Sequence, residues 1–431
     1  MAKDPTPRSP VVRDMPFHNL SSENPKRIVE RAVTDGKITP DDASLLLEYV
    51  TERRATRALS PGRVNKILYN LLLWRKFVPK PFRDHTITDL YAAAEQLMSR
   101  KAPDGTELAK NTVSDTVAIF KPFYSWMIEE GYCTIPEKKL RAIKRPPVDK
   151  MTKTAEDILS PEEVEQLLLA CTSSRDRALV HLMYEGGFRV GEIGNLQWRH
   201  IRFDETGAVV NVDFKTGKPR YVRLVMAKQP LAAWKKDHPD ARPDAFVFLD
   251  RFGRPVKYPA VVKQLQRLVD RAGIRKHITP HTLRHSRITH LIREGKMGES
   301  VIKLMMWGSV DTDMFSTYLH LTGGDIDQQI SEAYGLVDKK ATNGKRIEPR
   351  QCPRCGEVNS PIAKFCAECG MSLTPEAAAE VTDYESIAAS MYAGKATALP
   401  ALSDADRMAI ARMVAEEIMK SQKRQKRSPA A

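Results

Sequence analysis

In the first third of the chain, apolar residues recur every three or four positions, which is the spacing of an amphipathic helix. Four stretches show it: DDASLLLEYVTERRA, SPGRVNKILYNLLLWRKFV, TDLYAAAEQLMSRK and KNTVSDTVAIFKPFYSWMIEEGY. Ser60-Pro61 and Thr88-Asp89 are candidate helix starts, since a side-chain oxygen there accepts a hydrogen bond from a free amide. We predict an all-α domain over residues 41–137, after an N-terminal extension, residues 1–40, that carries a weak helical pattern at Pro25–Val33.

The pattern changes at residues 138–156, KKLRAIKRPPVDKMTKTAE, which are basic, contain Pro146-Pro147 and lack apolar periodicity. We interpret them as a linker. A second domain, residues 157–338, begins where LSPEEVEQLLLAC places a capping serine, a proline and a glutamate in the order of a helix start. Within it, the alternation in AVVNVDFKTGKPRYVRLV predicts a β-hairpin between helices. The expected fold class is therefore a mainly α multidomain protein whose second domain is mixed, with a small antiparallel sheet.

The composition narrows the class of partner. The 431 residues are 42% hydrophobic, which suffices for packed cores, and the formal net charge of +14 coexists with 54 acidic residues. The chain is thus a folded basic protein, for which nucleic acid is the first expected partner and an anionic membrane surface the second. No stretch approaches the roughly 18 apolar residues of a membrane span, so we expect a cytoplasmic location.

The stretch TPHTLRHSRITHLIREG gathers three cation-capable side chains, His281, Arg284 and His285, within one helical turn. Neighbours three and four apart share a face of a helix, so these side chains require an anionic partner or a metal ion. Arg284 with imidazole donors suits a phosphate, whereas neutral His281 and His285 suit zinc. A zinc-protease helix would carry a glutamate where this chain has Thr282, which weakens the metal interpretation.

Three further stretches carry candidate chemistry. YEGGFRVGEIGNLQW places Arg189 three residues before Glu192, where a helix can restart after two glycines. DFKTGKPRYVRL places Lys215 beside the hairpin turn, and WGSVDTDMFSTYLHL contains Tyr318 after a polar loop. Each alone has a duller explanation as a salt bridge, a surface charge or a core tyrosine, and Tyr334 is a nearby rival to Tyr318.

Together these motifs, in this order, resemble the tyrosine recombinase (phage integrase) family. The resemblance covers about residues 41–335 and implies an α-helical DNA-binding domain, with a catalytic domain that breaks and rejoins DNA through a 3′-phosphotyrosyl intermediate. It also implies that four protomers assemble on two specific duplex sites and that catalysis needs no cofactor. By the resemblance the catalytic residues are Arg189, Lys215, His281, Arg284, Trp307 and Tyr318, with Glu192 and His285 in support.

Family chemistry assigns the roles. Arg189 and Arg284 would clamp the non-bridging phosphate oxygens, Tyr318 would be the nucleophile, and Lys215 would protonate the leaving 5′ oxygen. His281 would hydrogen-bond the phosphate, His285 would accept a proton or orient its neighbours, and Glu192 would position Arg189 through an ion pair.

One position departs from the family pattern, which has Gly-His or Gly-Trp about ten residues before the tyrosine. Here Trp307 precedes Gly308, so Ser309 falls in the aromatic slot. We expect Trp307 to pack on the same site. Three alternatives to a recombinase stay open: a single-strand-nicking topoisomerase, a DNA-binding regulator that has lost activity, and a zinc hydrolase.

The motif CPRCGEVNSPIAKFCAECG holds two Cys-x-x-Cys knuckles. Four thiolates at this spacing can surround one zinc ion, and the glycine after each knuckle permits a tight turn. We predict a structural zinc ribbon over residues 350–372, rather than disulfides or a redox pair, with ligands Cys352, Cys355, Cys366 and Cys369.

Outside the ribbon, we expect the isolated Cys133 and Cys171 to be reduced and buried. Ribbons of this kind suggest an archaeal source. A C-terminal helical tail, residues 373–431, follows and contains the amphipathic stretch LSDADRMAIARMVAEEIMKSQKRQKR. This stretch would contact another protomer or pack on its own chain.

Overall fold

The structure of the protein is a computed structural model that describes residues 17, 24–149, 157–212, 220–319, 334 and 346–382. The described residues up to Arg346 form one compact unit, and those from Ile347 form a second. The predicted fold class is confirmed, because helices dominate and the described strands form two small antiparallel sheets. None of the described helices combines the length and apolar character that a bilayer crossing requires.

The N-terminal helical domain is built around an aromatic core. Trp74 and Phe120 stack with ring centroids 4.0 Å apart, and Phe123 and Trp126 fill the same core. The four helices predicted from the sequence are present as α2 to α5. The described helices of this domain are α1 (Asn24–Thr34), α2 (Pro40–Arg57), α3 (Pro61–Phe77), α4 (Ile87–Met98), α5 (Lys110–Glu129) and α6 (Glu137–Ala142).

The hydrophobic core of this domain extends beyond the predicted limits. Val29 and Ala32 of α1 are buried in it, and so are Leu140 and Ile143 at the other end. The core thus extends past residues 41–137 by one helix on each side. Apolar spacing in α1 and α6 is too brief to separate a packed helix from an extension or a linker.

The helix starts follow the capping rules. Ser60 accepts a hydrogen bond from the Arg63 amide at the start of α3, as predicted. The start of α4 is two residues earlier than predicted, since Thr86 and not Thr88 is the cap. Thr86 and Asp89 each accept a hydrogen bond from the other's amide, which satisfies two free donors at once.

A buried carboxylate holds three segments of this domain together. Asp42 is fully buried and accepts hydrogen bonds from the Arg75 Nε (3.3 Å), the Phe82 amide (2.8 Å) and the Thr39 amide (3.1 Å). Arg75 is itself buried and also donates to the Val78 carbonyl (3.0 Å). The pair thus fixes α2 against α3 and against the loop that leads to α4.

The second domain contains a three-stranded sheet and a larger number of helices. Its predicted first helix begins at Ser160, which forms a capping box with Glu163. The described elements are α7 (Pro161–Leu169), α8 (Ser174–Glu185), α9 (Val190–Gly194), β1 (Ile201–Asp204), β2 (Gly207–Val212), β3 (Arg220–Leu224), α10 (Lys228–Asp237), α11 (Tyr258–Arg271), α12 (Pro280–Glu294), α13 (Glu299–Trp307) and α14 (Ser316–Leu319).

The predicted hairpin is confirmed as the antiparallel pair β2–β3, in a sheet of order β1-β2-β3. Val212 pairs with Arg220 at the end nearest the turn, and the turn itself, residues 213–219, lies outside the described residues. At the other end, the buried Glu185 carboxylate accepts hydrogen bonds of 2.6–2.9 Å from the amides of residues 225–227. The end of α8 is therefore fixed to the exit of the sheet.

The Asp42–Arg75 pair generates a stability prediction. We expect Asp42→Ala to lower the free energy of unfolding by about 3–5 kcal/mol, because it leaves a guanidinium buried without its counter-charge. Asp41→Ala is the matched control: its ion pair with Arg83 (Nε–Oδ2 3.0 Å) is exposed, so its loss should cost at most about 1 kcal/mol. Urea denaturation measures both variants, and equal losses would contradict the prediction.

Candidate active site

The side chains predicted at residues 281–285 lie in the first two turns of α12, which Thr279 caps and Pro280 begins. Arg284 is buried, His285 is half-buried and His281 is exposed. The His281 and His285 ring centroids are 6.4 Å apart. The cluster therefore presents two imidazoles outward above one buried guanidinium.

Two helix ends hold the Arg284 guanidinium. Its Nη1 donates to the carbonyl of Gly187, just after α8, and its Nη2 donates to the carbonyl of Met306 in the last turn of α13 (2.6 Å). Carbonyls at helix C-termini have no partner within the helix and carry partial negative charge, so a buried cation is a favourable partner. Gly187 has φ +52°, and a Cβ there would lie 2.7 Å from the Met306 sulfur, so this approach requires glycine.

Arg189 and Glu192 form the start of α9. Glu192 accepts a hydrogen bond from the Arg189 amide (2.7 Å) and another from its Nη1 (3.0 Å). Glu192 is buried, whereas the Arg189 side chain is 24% exposed and can reach a ligand. The predicted ion pair is present, and the carboxylate orients the guanidinium.

Arg220, on β3, is a buried residue of this site that our reading of the sequence missed. Its Nη2 donates to Glu192, and its Nη1 donates to the carbonyls of Met305 (2.7 Å) and Met306 (3.0 Å). A signal was available, because Arg220 shares the inward parity of the strand with Val222 and Leu224. An arginine in a buried register needs buried partners.

Tyr318 lies in α14 and is buried against two predicted site residues. Its ring centroid is 5.3 Å from that of His285 and 5.9 Å from that of Trp307. The Arg284 Cζ lies 5.7 Å from the Trp307 ring centroid, so the indole lies near both the guanidinium and the phenol.

The reversed order of Trp307 and Gly308 has a structural reason. Trp307 is the last residue of α13, and Gly308 ends the helix in the left-handed conformation, with φ +72°. Ser309 accepts a hydrogen bond from the Asp311 amide (3.4 Å) in the following loop. The structure thus places Trp307, and not Ser309, beside Tyr318.

The described part of the site carries an excess of buried positive charge. Burial, and then the charges of Arg220 and Arg189, lower the pKa of Arg284 to about 9, which still leaves it charged at neutral pH. Burial raises the pKa of Tyr318 to about 12, although Arg284 and Arg189 act to lower it. Three guanidiniums face one carboxylate, so the arrangement suits a bound anion such as a phosphate.

Two further candidates, Lys215 and Tyr334, remain to be located. Lys215 lies outside the described residues. Tyr334, the rival nucleophile, is 77% exposed, unlike the buried Tyr318.

The four predicted zinc ligands come together in the compact unit that begins at Ile347. Their sulfur atoms all lie within 4.8 Å of one another, and the pairs Cys352–Cys369 and Cys355–Cys366 are 3.5 and 3.6 Å apart. Tetrahedral zinc–thiolate bonds of about 2.3 Å place sulfurs roughly 3.8 Å apart, so the donor set fits one zinc ion.

The two knuckles of this unit repeat one backbone pattern. The Gly356 amide donates to the Cys352 carbonyl and the Gly370 amide to the Cys366 carbonyl, each at 2.9 Å. Both glycines have positive φ, +75° and +72°, as the predicted tight turns require. Asn359, a fully buried residue that our reading missed, donates to the Cys366 sulfur (3.6 Å) and accepts from the Ala367 amide (3.0 Å).

The isolated cysteines differ from each other. Cys171 is buried, and burial raises the pKa of its thiol to about 12, whereas Cys133 is only partly buried.

Comparison with known proteins supports the resemblance. Residues 157–323 match the phage integrase family. The tyrosine recombinase XerC of Xanthomonas campestris is 28% identical over 247 residues, which are 56% of this chain and 72% of that protein. Transposase A from transposon Tn554 of Staphylococcus aureus is 32% identical over 188 residues, which are 40% of this chain and 51% of that protein. Both relatives are bacterial and lend no support to an archaeal source.

Solved structures share the fold. A crystal structure of a lambda integrase dimer bound to a COC′ core site is similar with a TM-score of 0.51 and 15% identity, over 71% of this chain and 79% of that one. A lambda integrase fragment bound to DNA gives a TM-score of 0.50 and 14% identity, over 64% of this chain and 96% of that one.

The close approach at Gly187 generates a prediction. We expect Gly187→Ala to lower the free energy of unfolding by about 2–4 kcal/mol, from the left-handed backbone and from overpacking against Met306. Gly295→Ala is the matched control: it has φ +62° but nothing within 4 Å of its Cβ, so it should cost only about 1–2 kcal/mol. Denaturation of both variants tests this, and the prediction is wrong if the two losses are equal.

Proposed function

We propose that this chain, whose residues 157–323 match the phage integrase family, is a tyrosine recombinase that breaks and rejoins DNA at specific sites through a 3′-phosphotyrosyl intermediate. The observation that carries this proposal is the position of a buried tyrosine close to a group of arginines whose positive charge acts to lower its pKa. Tyr318 lies against His285 and Trp307, and Trp307 lies against Arg284. A phosphodiester supplies both an anion that suits this charge and the electrophile.

In the proposed reaction, the Tyr318 hydroxyl attacks the scissile phosphorus. The new bond joins the phenol oxygen to phosphorus, and the bond from phosphorus to the 5′ oxygen breaks. Arg189 and Arg284 stabilise the charge that gathers on the non-bridging oxygens, which is typically worth about 100- to 1000-fold in rate per donor. Since burial raises the pKa of Tyr318, the phenol keeps its proton until substrate is bound.

One proton leaves the attacking phenol, and another is delivered to the leaving oxygen. Lys215 donates a proton to the leaving 5′ oxygen, and His285, beside Tyr318, accepts the phenol proton. His281, exposed in the first turn of α12, hydrogen-bonds the phosphate. The phosphotyrosine ester conserves the energy of the broken linkage, so resealing uses neither a nucleotide nor a catalytic metal.

Trp307 and Glu192 support the clamp. Trp307 shields the phenol and the Arg284 guanidinium from water, which strengthens their interaction with the phosphate. Glu192 keeps Arg189 in place through two hydrogen bonds.

The partner is duplex DNA that carries recombination sites, and exchange between two sites uses four protomers. Support comes from the structural similarity to DNA-bound integrases and from the net charge of +14.

The ribbon binds one structural zinc ion through Cys352, Cys355, Cys366 and Cys369. Zinc held by four thiolates leaves no position for a substrate, so its contribution is to fold a unit with little hydrophobic core of its own. Asn359 fixes the orientation of the Cys366 sulfur.

The covalent step can be tested directly. We expect wild-type protein, mixed with supercoiled plasmid carrying the DNA that flanks its own gene and stopped with detergent, to yield a nucleotide adduct on Tyr318 by mass spectrometry. The adduct should persist in EDTA and be absent from Tyr318→Phe. Tyr334→Phe, which removes an exposed tyrosine, should form it normally. An adduct on another residue, or none with wild type, would sink the proposal.

The zinc assignment has its own test. Purified protein should contain one zinc per chain by inductively coupled plasma mass spectrometry, and Cys366→Ser should lose most of it. Cys171→Ser, which changes a buried cysteine outside the cluster, should retain the full amount. Metal-free wild type, or equal zinc in both variants, would refute the assignment.

A further inference from the structure

Arg220 contacts two parts of the described site: Glu192 near the start of α9 and the backbone at the end of α13. One side of its guanidinium bonds Glu192, which in turn bonds Arg189. The other side bonds the Met305 and Met306 carbonyls at the end of α13. One side chain on β3 thus joins α9 to α13.

The Met306 carbonyl is shared by Arg220 and Arg284. It accepts hydrogen bonds from Arg220 Nη1 (3.0 Å) and from Arg284 Nη2 (2.6 Å). The next residue is Trp307, whose ring packs on Tyr318. Any movement of Arg220 therefore moves the backbone that orients Arg284 and the indole, and also the carboxylate that orients Arg189.

Arg220 itself does not reach a substrate. Its side chain is only 1% exposed, its guanidinium lies over the Phe188 ring (5.5 Å), and both terminal nitrogens bond to protein groups. Arg189, by contrast, keeps a quarter of its side chain exposed. The charge of Arg220 is thus committed to holding protein groups together.

We propose that Arg220 is a positioning residue for strand cleavage, which sets the separation and orientation of the two arginines that grip the scissile phosphate. This proposal rests on the proposed function and deepens it. An arginine is required because its planar fork bonds a carboxylate and two carbonyls together, which a lysine ammonium on a flexible stem does not reproduce.

A competing route runs through Lys215, which lies five residues before Arg220 on the same hairpin. If Arg220 merely anchored that hairpin, its loss would impair protonation of the leaving oxygen. A substrate with sulfur at the 5′ bridging position separates the two routes, since a thiol has a pKa near ~8.5 and leaves without that proton.

The experiment measures single-turnover cleavage of a suicide substrate built on the target site, with either oxygen or sulfur at the 5′ bridging position. Arg220→Lys should cleave both substrates about 100-fold more slowly than wild type, as expected for a misplaced catalytic group, while its affinity for DNA is unchanged. Lys215→Ala serves as the reference, since sulfur should rescue it.

Arg223→Lys is the matched control. Arg223 lies on the same strand but pairs with Asp204 at the surface (2.6 Å), so this variant should cleave like wild type. If Arg220→Lys does not fold, Glu192→Gln weakens the same link while retaining the shape of the side chain, and it should be slow on both substrates.

The outcomes separate the hypotheses. Rescue of Arg220→Lys by sulfur, or cleavage at the wild-type rate, would overturn the positioning role. Slow cleavage of both substrates by Arg220→Lys, with rescue of Lys215→Ala, would establish it. Failure of wild type to cleave either substrate would instead refute the proposed function.

Discussion

The candidate site depends on how three guanidiniums, those of the buried Arg220 and Arg284 and of the partly exposed Arg189, are kept close to a single carboxylate. Arg189 and Arg220 share Glu192, while Arg220 and Arg284 share the carbonyl at the end of α13. Like charges at such separations repel in a medium of low dielectric, so the arrangement persists only because helix-end dipoles and hydrogen bonds offset the repulsion. The C-terminal ends of α8 and α13 supply these carbonyls, and among the described side chains of the site positive charge exceeds negative charge.

This excess of positive charge affects both the protonation of Tyr318 in the free protein and the proposed reaction. Burial disfavours both the Tyr318 phenolate and the Arg284 guanidinium, yet each favours the charged form of the other. A bound phosphodiester would bring negative charge to the arginines. In the transition state of the proposed reaction, still more negative charge would gather on its non-bridging oxygens. In the proposed reaction, the free protein thus keeps Tyr318 protonated, and interactions that are strongest in the transition state would provide the acceleration.

The sequence predicted most of the elements but not all of their connections. Capping serines and apolar spacing located α3, α5 and α7, because those signals are local. The part that α1 and α6 play in the core was not predicted, because it depends on long-range packing. Arg284, Tyr318 and the four cysteines could be proposed from the sequence because their motifs are compact. Arg220 was missed because its partners, Glu192 and Met306, lie far from it along the chain, although its inward parity on β3 was a usable signal.

The ribbon differs electrostatically from the rest of the chain. Residues 346–382 contain four Lys or Arg against five Asp or Glu, whereas the whole chain carries a net charge of +14. Zinc held by four thiolates would add further negative charge to this unit. Attraction to DNA phosphates scales with the number of cations that meet them, so these residues contribute little to it. In the proposed complex with DNA, most of the electrostatic attraction is therefore expected from the remainder of the chain.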